Sequence, residues 1–150
     1  RGIDPSRLVF GKRLPKHEYL ARYRVADLFL DTHPYNAGTT ASDALRMGLP
    51  VLTLKGNSFN SREAASVINA VNLPELITST QEEYESLAIQ LATHPEQLKI
   101  IKDKLDNNLP SAPLYDTPLF TRHLESAYLT MYDRYQQGLE PDHIYVECYK

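Results

Sequence analysis

One stretch of the sequence, residues 31–50 (DTHPYNAGTTASDALRMGLP), carries residue types that can bind an anion. Its pattern is that of a strand end followed by a loop that ends at Gly38. A helix is then predicted to begin at the pair Thr39 and Thr40. The first backbone N–H groups of a helix have no partner within it and carry a partial positive charge. Such a helix end suits phosphate, with glycine allowing close approach and the threonine hydroxyls adding donors. Asp43, near the first helical turn, is placed to accept hydrogen bonds from a ribose diol.

The same residue types also fit a purely structural interpretation. Thr39 fits an ordinary helix N-cap, and Asp43 a favourable charge near the helix start. Lys16 follows Pro15 at the start of an earlier predicted helix, where it is either a point charge beside the phosphate or an ordinary surface lysine. Tyr19, one turn later, faces either the same crevice or the core. The residue types alone leave these alternatives open.

Other chemistry is only weakly indicated. His33, in the loop after a predicted strand, fits an acid–base group and an ordinary surface position equally. Neither Ser58 nor Ser61 lies in a nucleophile motif, and Glu63, near a helix start, is expected to face solvent. The remaining histidines show no metal-ligand spacing with cysteine or carboxylates, so the sequence predicts no metal site: His17, His94, His123 and His143.

The elements that must position these residues alternate between strand and helix. Short apolar runs predict strands at residues 8–10, 28–30, 51–54 and 76–77. Apolar residues at helical spacing predict helices over residues 16–25 and 39–47, and a third after Ser61 as its N-cap. Strands and helices that alternate at this spacing predict βαβ units, a parallel sheet and right-handed crossovers.

The second half of the chain is helical by pattern. Helices are predicted from a capping box at residues 79–82 to residue 94, from Pro95 to residue 109, and over residues 120–137. Tyrosines at helical spacing in the last helix predict a packing stripe: Tyr128, Tyr132 and Tyr135. We therefore divide the chain into an α/β part, residues 1–78, and a helical part, residues 79–150. The helical part is either a subdomain or a set of helices packed on the sheet.

Composition places the chain among globular proteins, with 42% hydrophobic and 23% charged residues in a length of 150. A net charge of −3 argues against nucleic acid as a partner, and no apolar run is long enough to span a bilayer. Cys148 has no internal disulfide partner, which fits a reducing compartment.

The opening residues 1–5 lack methionine and place Gly2 close to Pro5, which is typical of a helix end. We expect a piece of a longer protein.

An ordered series of motifs resembles the O-linked N-acetylglucosamine transferase family, which includes SPINDLY-like proteins and bacterial relatives. The motifs are VADLFLDT at 25–32, PYN at 34–36, TT at 39–40, SDAL at 42–45 and GLPVLT at 48–53. The similarity continues through residues 61–66 and 75–77 to residues 141–143, and so covers nearly the whole chain.

The resemblance implies an inverting, metal-independent glycosyltransferase with two Rossmann-like lobes, the GT-B fold, often preceded by tetratricopeptide repeats. This chain resembles the C-terminal lobe, a parallel sheet flanked by helices with a helical C-terminal tail, which holds UDP-N-acetylglucosamine for transfer to serine or threonine hydroxyls of proteins. UDP-sugar and a protein acceptor are then the partners, no cofactor is needed, and the location is cytoplasmic. The family's acid–base groups belong to the other lobe, so no catalytic residue is assigned here. We expect the isolated chain to be inactive.

By motif position, the resemblance gives each matched residue a role in nucleotide binding. Leu14 offers its backbone to uracil and Lys16 lies beside the nucleotide, while Asp43 bonds the ribose. Thr39 and Thr40 hold the diphosphate.

Two positions depart from the animal members of the family, which carry histidine where this chain has Tyr19 and Gly38. The Tyr19 ring can still stack on uracil, whereas Gly38 removes a side-chain donor near the phosphate. These departures motivate an alternative, a non-catalytic nucleotide-binding or regulatory module that kept the fold. A flavodoxin-like structural domain without nucleotide is a third reading.

Overall fold

A computed structural model describes residues 2–146, and shows a sheet of three parallel strands in the order β1 (Phe29–Leu30), β2 (Val51–Leu54) and β3 (Ile77–Thr78). Phe29 pairs with Val51, and Thr53 pairs with Ile77. All of β2 is buried, as expected of a central strand with helices on both sides. The predicted parallel α/β fold is confirmed. Cys148 and Arg1 lie outside the described residues.

Six helices accompany the strands in the described part of the chain. They are α1 (Lys16–Arg22), α2 (Thr39–Arg46), α3 (Glu63–Ala70), α4 (Gln81–Thr93), α5 (Pro95–Asn108) and α6 (Thr117–Gln136). Short 3-10 turns occur at Pro5–Arg7, Tyr23–Val25, Pro74–Leu76, Leu109–Ser111 and Pro113–Tyr115. No helix within residues 2–146 is long and apolar enough to cross a membrane.

Local chemistry sets several helix ends. The capping box of α4 joins Thr80 and Glu83, one residue later than predicted, with the Glu83 backbone N–H donating to Thr80 Oγ1 at 3.1 Å. Pro95 opens α5 as predicted. Gly48 follows α2 with a φ of +79°, a left-handed conformation that glycine adopts without a Cβ penalty. The predicted N-cap of α3, Ser61, is wrong, because Arg62 takes that position.

The core joins both halves of the chain. Leu45 of α2 and Ile68 of α3 are fully buried in one cluster with Leu91 of α4 and Leu105 of α5. Tyr84 of α4 also donates a hydrogen bond to the carbonyl that follows β1, at 2.9 Å. Helices α4 and α5 therefore pack on the sheet layer and share its core, which answers the open question of where they lie.

The predicted strand at residues 8–10 is wrong. Leu8 has extended backbone angles, but the segment pairs with no strand within residues 2–146. Val9 and Phe10 are 91% and 88% exposed. Strand propensity expresses a fit to a half-buried pleated surface, and no such surface contacts this segment.

The predicted packing stripe on the last helix is also wrong. Tyr128, Tyr132 and Tyr135 are exposed, and α6 has no buried residue. Helical spacing places the three rings on one face, but no described element covers that face. Helix α6 begins earlier than expected because the side chain of Asp116 accepts a hydrogen bond from the Leu119 backbone N–H at 2.9 Å.

Candidate nucleotide site

A buried carboxylate shapes the loop between β1 and α2. Asp31 Oδ1 accepts hydrogen bonds from the backbone N–H groups of Thr32 and Ala37, each at 2.8 Å. Its Oδ2 accepts a hydrogen bond from Thr53 Oγ1 at 2.6 Å. One carboxylate therefore holds both ends of the loop and ties it to β2. Asp31 carries a signal that the sequence motifs did not identify, because it is an acid directly after a buried strand.

Asn36 holds the loop from inside. It is 1% exposed, and its Nδ2 donates to the Thr32 carbonyl at 2.7 Å and, more weakly, to the Leu54 carbonyl at 3.5 Å. Thr32 Oγ1 donates to the Tyr35 carbonyl at 2.6 Å, and the His33–Pro34 peptide is cis. The loop is thus fixed at the carboxyl edge of the parallel sheet, where ligands of open α/β folds bind.

The start of α2 carries no side-chain cap. Gly38 is the N-cap residue, and Thr39 is the first helical residue. The structural interpretation of Thr39 as an N-cap is therefore wrong. Within residues 2–146, no side chain accepts a hydrogen bond from the first N–H groups of α2, which leaves them for another acceptor.

An open cavity of about 480 Å³ adjoins this helix start. Its size falls within the range of small-molecule sites. The cavity is lined by Phe29, Thr32, Tyr35, Asn36, Ala37, Gly38, Thr39, Thr40 and Glu63. The predicted residues Gly38, Thr39 and Thr40 thus lie together around one cavity.

Helix α1 reaches α2 through a pair of tyrosines. The Tyr19 and Tyr23 rings meet edge-on with centroids 5.2 Å apart, and their hydroxyls share a hydrogen bond. Tyr23 Oη donates in turn to the Thr40 carbonyl at 3.4 Å. Burial, aided by the Tyr19 hydrogen bond, raises the pKa of Tyr23 well above its ordinary value, so its hydroxyl keeps the proton that it donates. Tyr19 is half-buried and does not line the cavity.

The other predicted site residues do not line the cavity. Asp43 is half-buried on α2, near Tyr23 and Tyr115. Lys16 is exposed at the start of α1, and Leu14 is half-buried just before it. His33 is exposed and does not line the cavity either.

The linker between α5 and α6, residues 109–116, also contacts α2. Tyr115 Oη donates to the Ser42 carbonyl at 2.8 Å, and the guanidinium of Arg46 lies 5.3 Å from the centre of its ring. Burial raises the pKa of the Tyr115 hydroxyl. The linker therefore helps to position the helix that carries Thr39 and Thr40.

We expect Tyr115→Phe to lower the free energy of unfolding by about 1 kcal/mol, because the Ser42 carbonyl loses its donor. Urea denaturation measures this change. The matched control is Tyr128→Phe, whose ring is 57% exposed, and its stability should stay within about 0.5 kcal/mol of the native chain. Equal stability of both variants would show that this hydrogen bond contributes nothing.

Comparison with known sequences decides the family. The profile described as Glycosyl transferase family 41 matches residues 1–124. The chain belongs to glycosyl transferase family 41. The resemblance drawn from the motifs is thereby confirmed.

Curated relatives agree with this family 41 assignment. A UDP-N-acetylglucosamine–peptide N-acetylglucosaminyltransferase of Caenorhabditis elegans is 37% identical over 96% of this chain. A probable UDP-N-acetylglucosamine–peptide N-acetylglucosaminyltransferase SPINDLY of Hordeum vulgare is 36% identical over 83% of it. The chain spans only 12% and 13% of the lengths of these relatives.

A solved structure agrees as well. A mutant O-GlcNAc transferase of Thermobaculum terrenum aligns with this family 41 chain at a TM-score of 0.85 and 37% identity. The alignment covers 92% of this chain and 27% of the other. The expected fold, one Rossmann-like lobe of a GT-B glycosyltransferase, is confirmed by this match and by the parallel sheet flanked by helices.

Proposed function

We propose that this chain is the UDP-sugar-binding lobe of an inverting glycosyltransferase that moves N-acetylglucosamine from UDP to serine or threonine hydroxyls of proteins. The observation that carries the proposal is the start of α2, which lacks a side-chain cap beside a cavity lined by Gly38, Thr39 and Thr40. The names of the similar proteins supply the substrate class.

In this proposal the chain binds the donor and stabilises its leaving group. Backbone N–H groups at the start of α2 and the hydroxyls of Thr39 and Thr40 hold the diphosphate. The positive end of the α2 dipole then stabilises the charge that develops on UDP as the glycosidic bond breaks. Asp43 bonds the ribose hydroxyls, while Leu14, Lys16 and Tyr19 bind the base and its surroundings.

The rest of the reaction belongs to a partner lobe in the same proposal. An N-terminal catalytic lobe, preceded by tetratricopeptide repeats, supplies the acid–base group and the acceptor site. The donor is a substrate, and no metal or other cofactor takes part. We propose a cytoplasmic location, in keeping with the single cysteine of the sequence.

Titration of the chain with UDP, followed by amide NMR shifts, tests the nucleotide site. We expect the largest shifts at residues 38–43, which form the start of α2. The double variant Thr39→Ala/Thr40→Ala should bind UDP about a hundredfold or more weakly, because it loses two hydrogen bonds to a charged group, each of which contributes about 1.5–3 kcal/mol. Thr117→Ala is the matched control, since Thr117 also opens a helix but lies outside the cavity. A folded chain that does not respond to millimolar UDP would contradict the proposal.

The ribose contact has its own test. We expect Asp43→Ala to weaken UDP binding about tenfold, from the loss of a hydrogen bond between a carboxylate and the ribose. Inorganic pyrophosphate has no ribose, so its affinity should not change. Calorimetry with both ligands separates the effects, and an equal loss for both would place Asp43 in a structural role.

The alternative of a non-catalytic module is motivated by Gly38, which lacks the side-chain donor of the animal proteins. Transfer assays on the full-length protein discriminate between the two functions. High activity with Gly38 and Tyr19 in place rejects the alternative, whereas activity that appears only after both are changed to histidine supports it.

A further inference from the structure

The cavity at the start of α2 already contains a negative charge of the protein itself. Glu63, the first residue of α3, extends its carboxylate against Gly38. Its Oε1 lies 1.9 Å from the place that a Cβ on residue 38 would occupy, and its Cδ lies 2.5 Å from that place. The φ of Gly38 is −96°, which other residues also adopt. The absence of a side chain at position 38 therefore provides the space that the Glu63 carboxylate occupies.

In the described part of the chain, the Glu63 side chain borders an open cavity and pairs with no other charged group. Glu63 is half-buried, contrary to the solvent-facing position expected from the sequence. Within residues 2–146 its carboxylate makes no hydrogen bond or ion pair. No other acidic or basic residue lines the cavity. The carboxylate lies against the positive end of the α2 dipole, where Gly38 is the N-cap residue.

Glu63 also lines a second cavity, of about 360 Å³. This cavity is formed with Phe59, Arg62, Ser66 and Val67. Glu63 thus borders two open spaces, and its side chain has rotatable bonds through which the carboxylate can change position. Arg62 and Ser66 also line the second space, and their side chains are of types that can pair with a displaced carboxylate.

We propose that Glu63 is a built-in competitor of the diphosphate, whose carboxylate must leave the start of α2 before a phosphate group binds there. This inference rests on the proposed function, because it assigns the start of α2 to the diphosphate. Two like charges in one site disfavour each other, so the carboxylate lowers the affinity of the lobe for nucleotide diphosphates. Glu63 is thus an affinity-determining residue in contact with the ligand site.

Two substitutions test the competition. Glu63→Gln keeps the shape of the side chain and removes its charge, while Glu63→Ala removes both. We expect each variant to bind UDP and inorganic pyrophosphate about tenfold more tightly than the native chain by calorimetry. Uridine, which carries no phosphate, should bind all three proteins equally. Glu96→Gln is the matched control, because Glu96 is an exposed glutamate in the first turn of α5, away from the cavity.

The outcomes separate this inference from the proposed function. Tighter binding of both phosphate ligands by both variants, with uridine unchanged, supports the competition. If the native chain binds UDP and both variants bind it with the same affinity, the competition is rejected and the nucleotide site stands. If Glu63→Gln weakens the binding of UDP-N-acetylglucosamine and leaves UDP unchanged, Glu63 is a sugar contact and the competition is also rejected. If the native chain and both folded variants bind neither UDP nor pyrophosphate, the proposed function itself fails.

Discussion

Replacement of Asp31 by alanine is expected to lower the free energy of unfolding by about 3 kcal/mol or more. The reason is that the Thr32 and Ala37 N–H groups and the Thr53 hydroxyl all lose the same buried acceptor. Each hydrogen bond to a charged group contributes about 1.5–3 kcal/mol, and water that enters the vacated space recovers part of the loss. Urea denaturation, read by circular dichroism, measures the change.

The same variant should lose its response to UDP even where it remains folded. Asp31 holds the loop that ends at Gly38, and the start of α2 depends on that loop for its position. Asp27→Ala is the control, because Asp27 precedes β1 in the sequence, whereas Asp31 follows it. The Asp27 side chain is 82% exposed and forms a surface ion pair with Lys102. Its effect on stability should stay below about 1 kcal/mol. Equal losses in the two variants would contradict the role given to the buried carboxylate.

Leu45→Ala is expected to cost about 2–5 kcal/mol, because the side chain is fully buried and its removal leaves a cavity. Leu45 lies on α2, where the helix that carries Thr39 and Thr40 packs against the shared core. The cost of such a cavity depends on how far the neighbouring side chains can relax. Chemical denaturation of the variant gives the value directly.

The control for this variant is Leu30→Ala. Leu30 lies at the end of β1 and is 55% exposed, so most of its surface already contacts water. Its loss should change stability by no more than about 1 kcal/mol. A loss for Leu45→Ala no larger than that of Leu30→Ala would show that α2 is not held by the core described above.

Much of the fold follows from local patterns in the sequence. The apolar run at Val51–Leu54 predicted the buried central strand, and the apolar spacing over residues 39–47 predicted α2. Pro95 predicted the start of α5 because proline has no N–H to lose at the first helical position. These features depend on residues that are close together in the sequence, so they can be predicted without knowledge of the tertiary structure.

The two wrong predictions, the strand at residues 8–10 and the packing stripe on α6, have a common cause. The run at residues 8–10 has the composition of a strand, and the tyrosines of α6 have the spacing of a buried stripe. Both patterns indicate which side chains a segment is able to bury. Burial also requires that another part of the protein packs against those side chains. No described element contacts either segment closely enough to supply one.

In the candidate site, too, some features follow from the local sequence and others only from the tertiary structure. The order of Gly38, Thr39 and Thr40 at a helix start after a strand indicated, from the sequence alone, an anion site at the carboxyl edge of a parallel sheet, but left a purely structural interpretation equally open. The contact between Gly38 and Glu63 came only from the tertiary structure, because the two residues belong to successive helices. The hydrogen bonds that the Asp31 carboxylate accepts from its loop and from Thr53 also depend on the pairing of β1 with β2. Hydrophobic periodicity and helix-end chemistry act over a few residues, whereas the distance between a carboxylate and a distant backbone is set by the packing of whole elements.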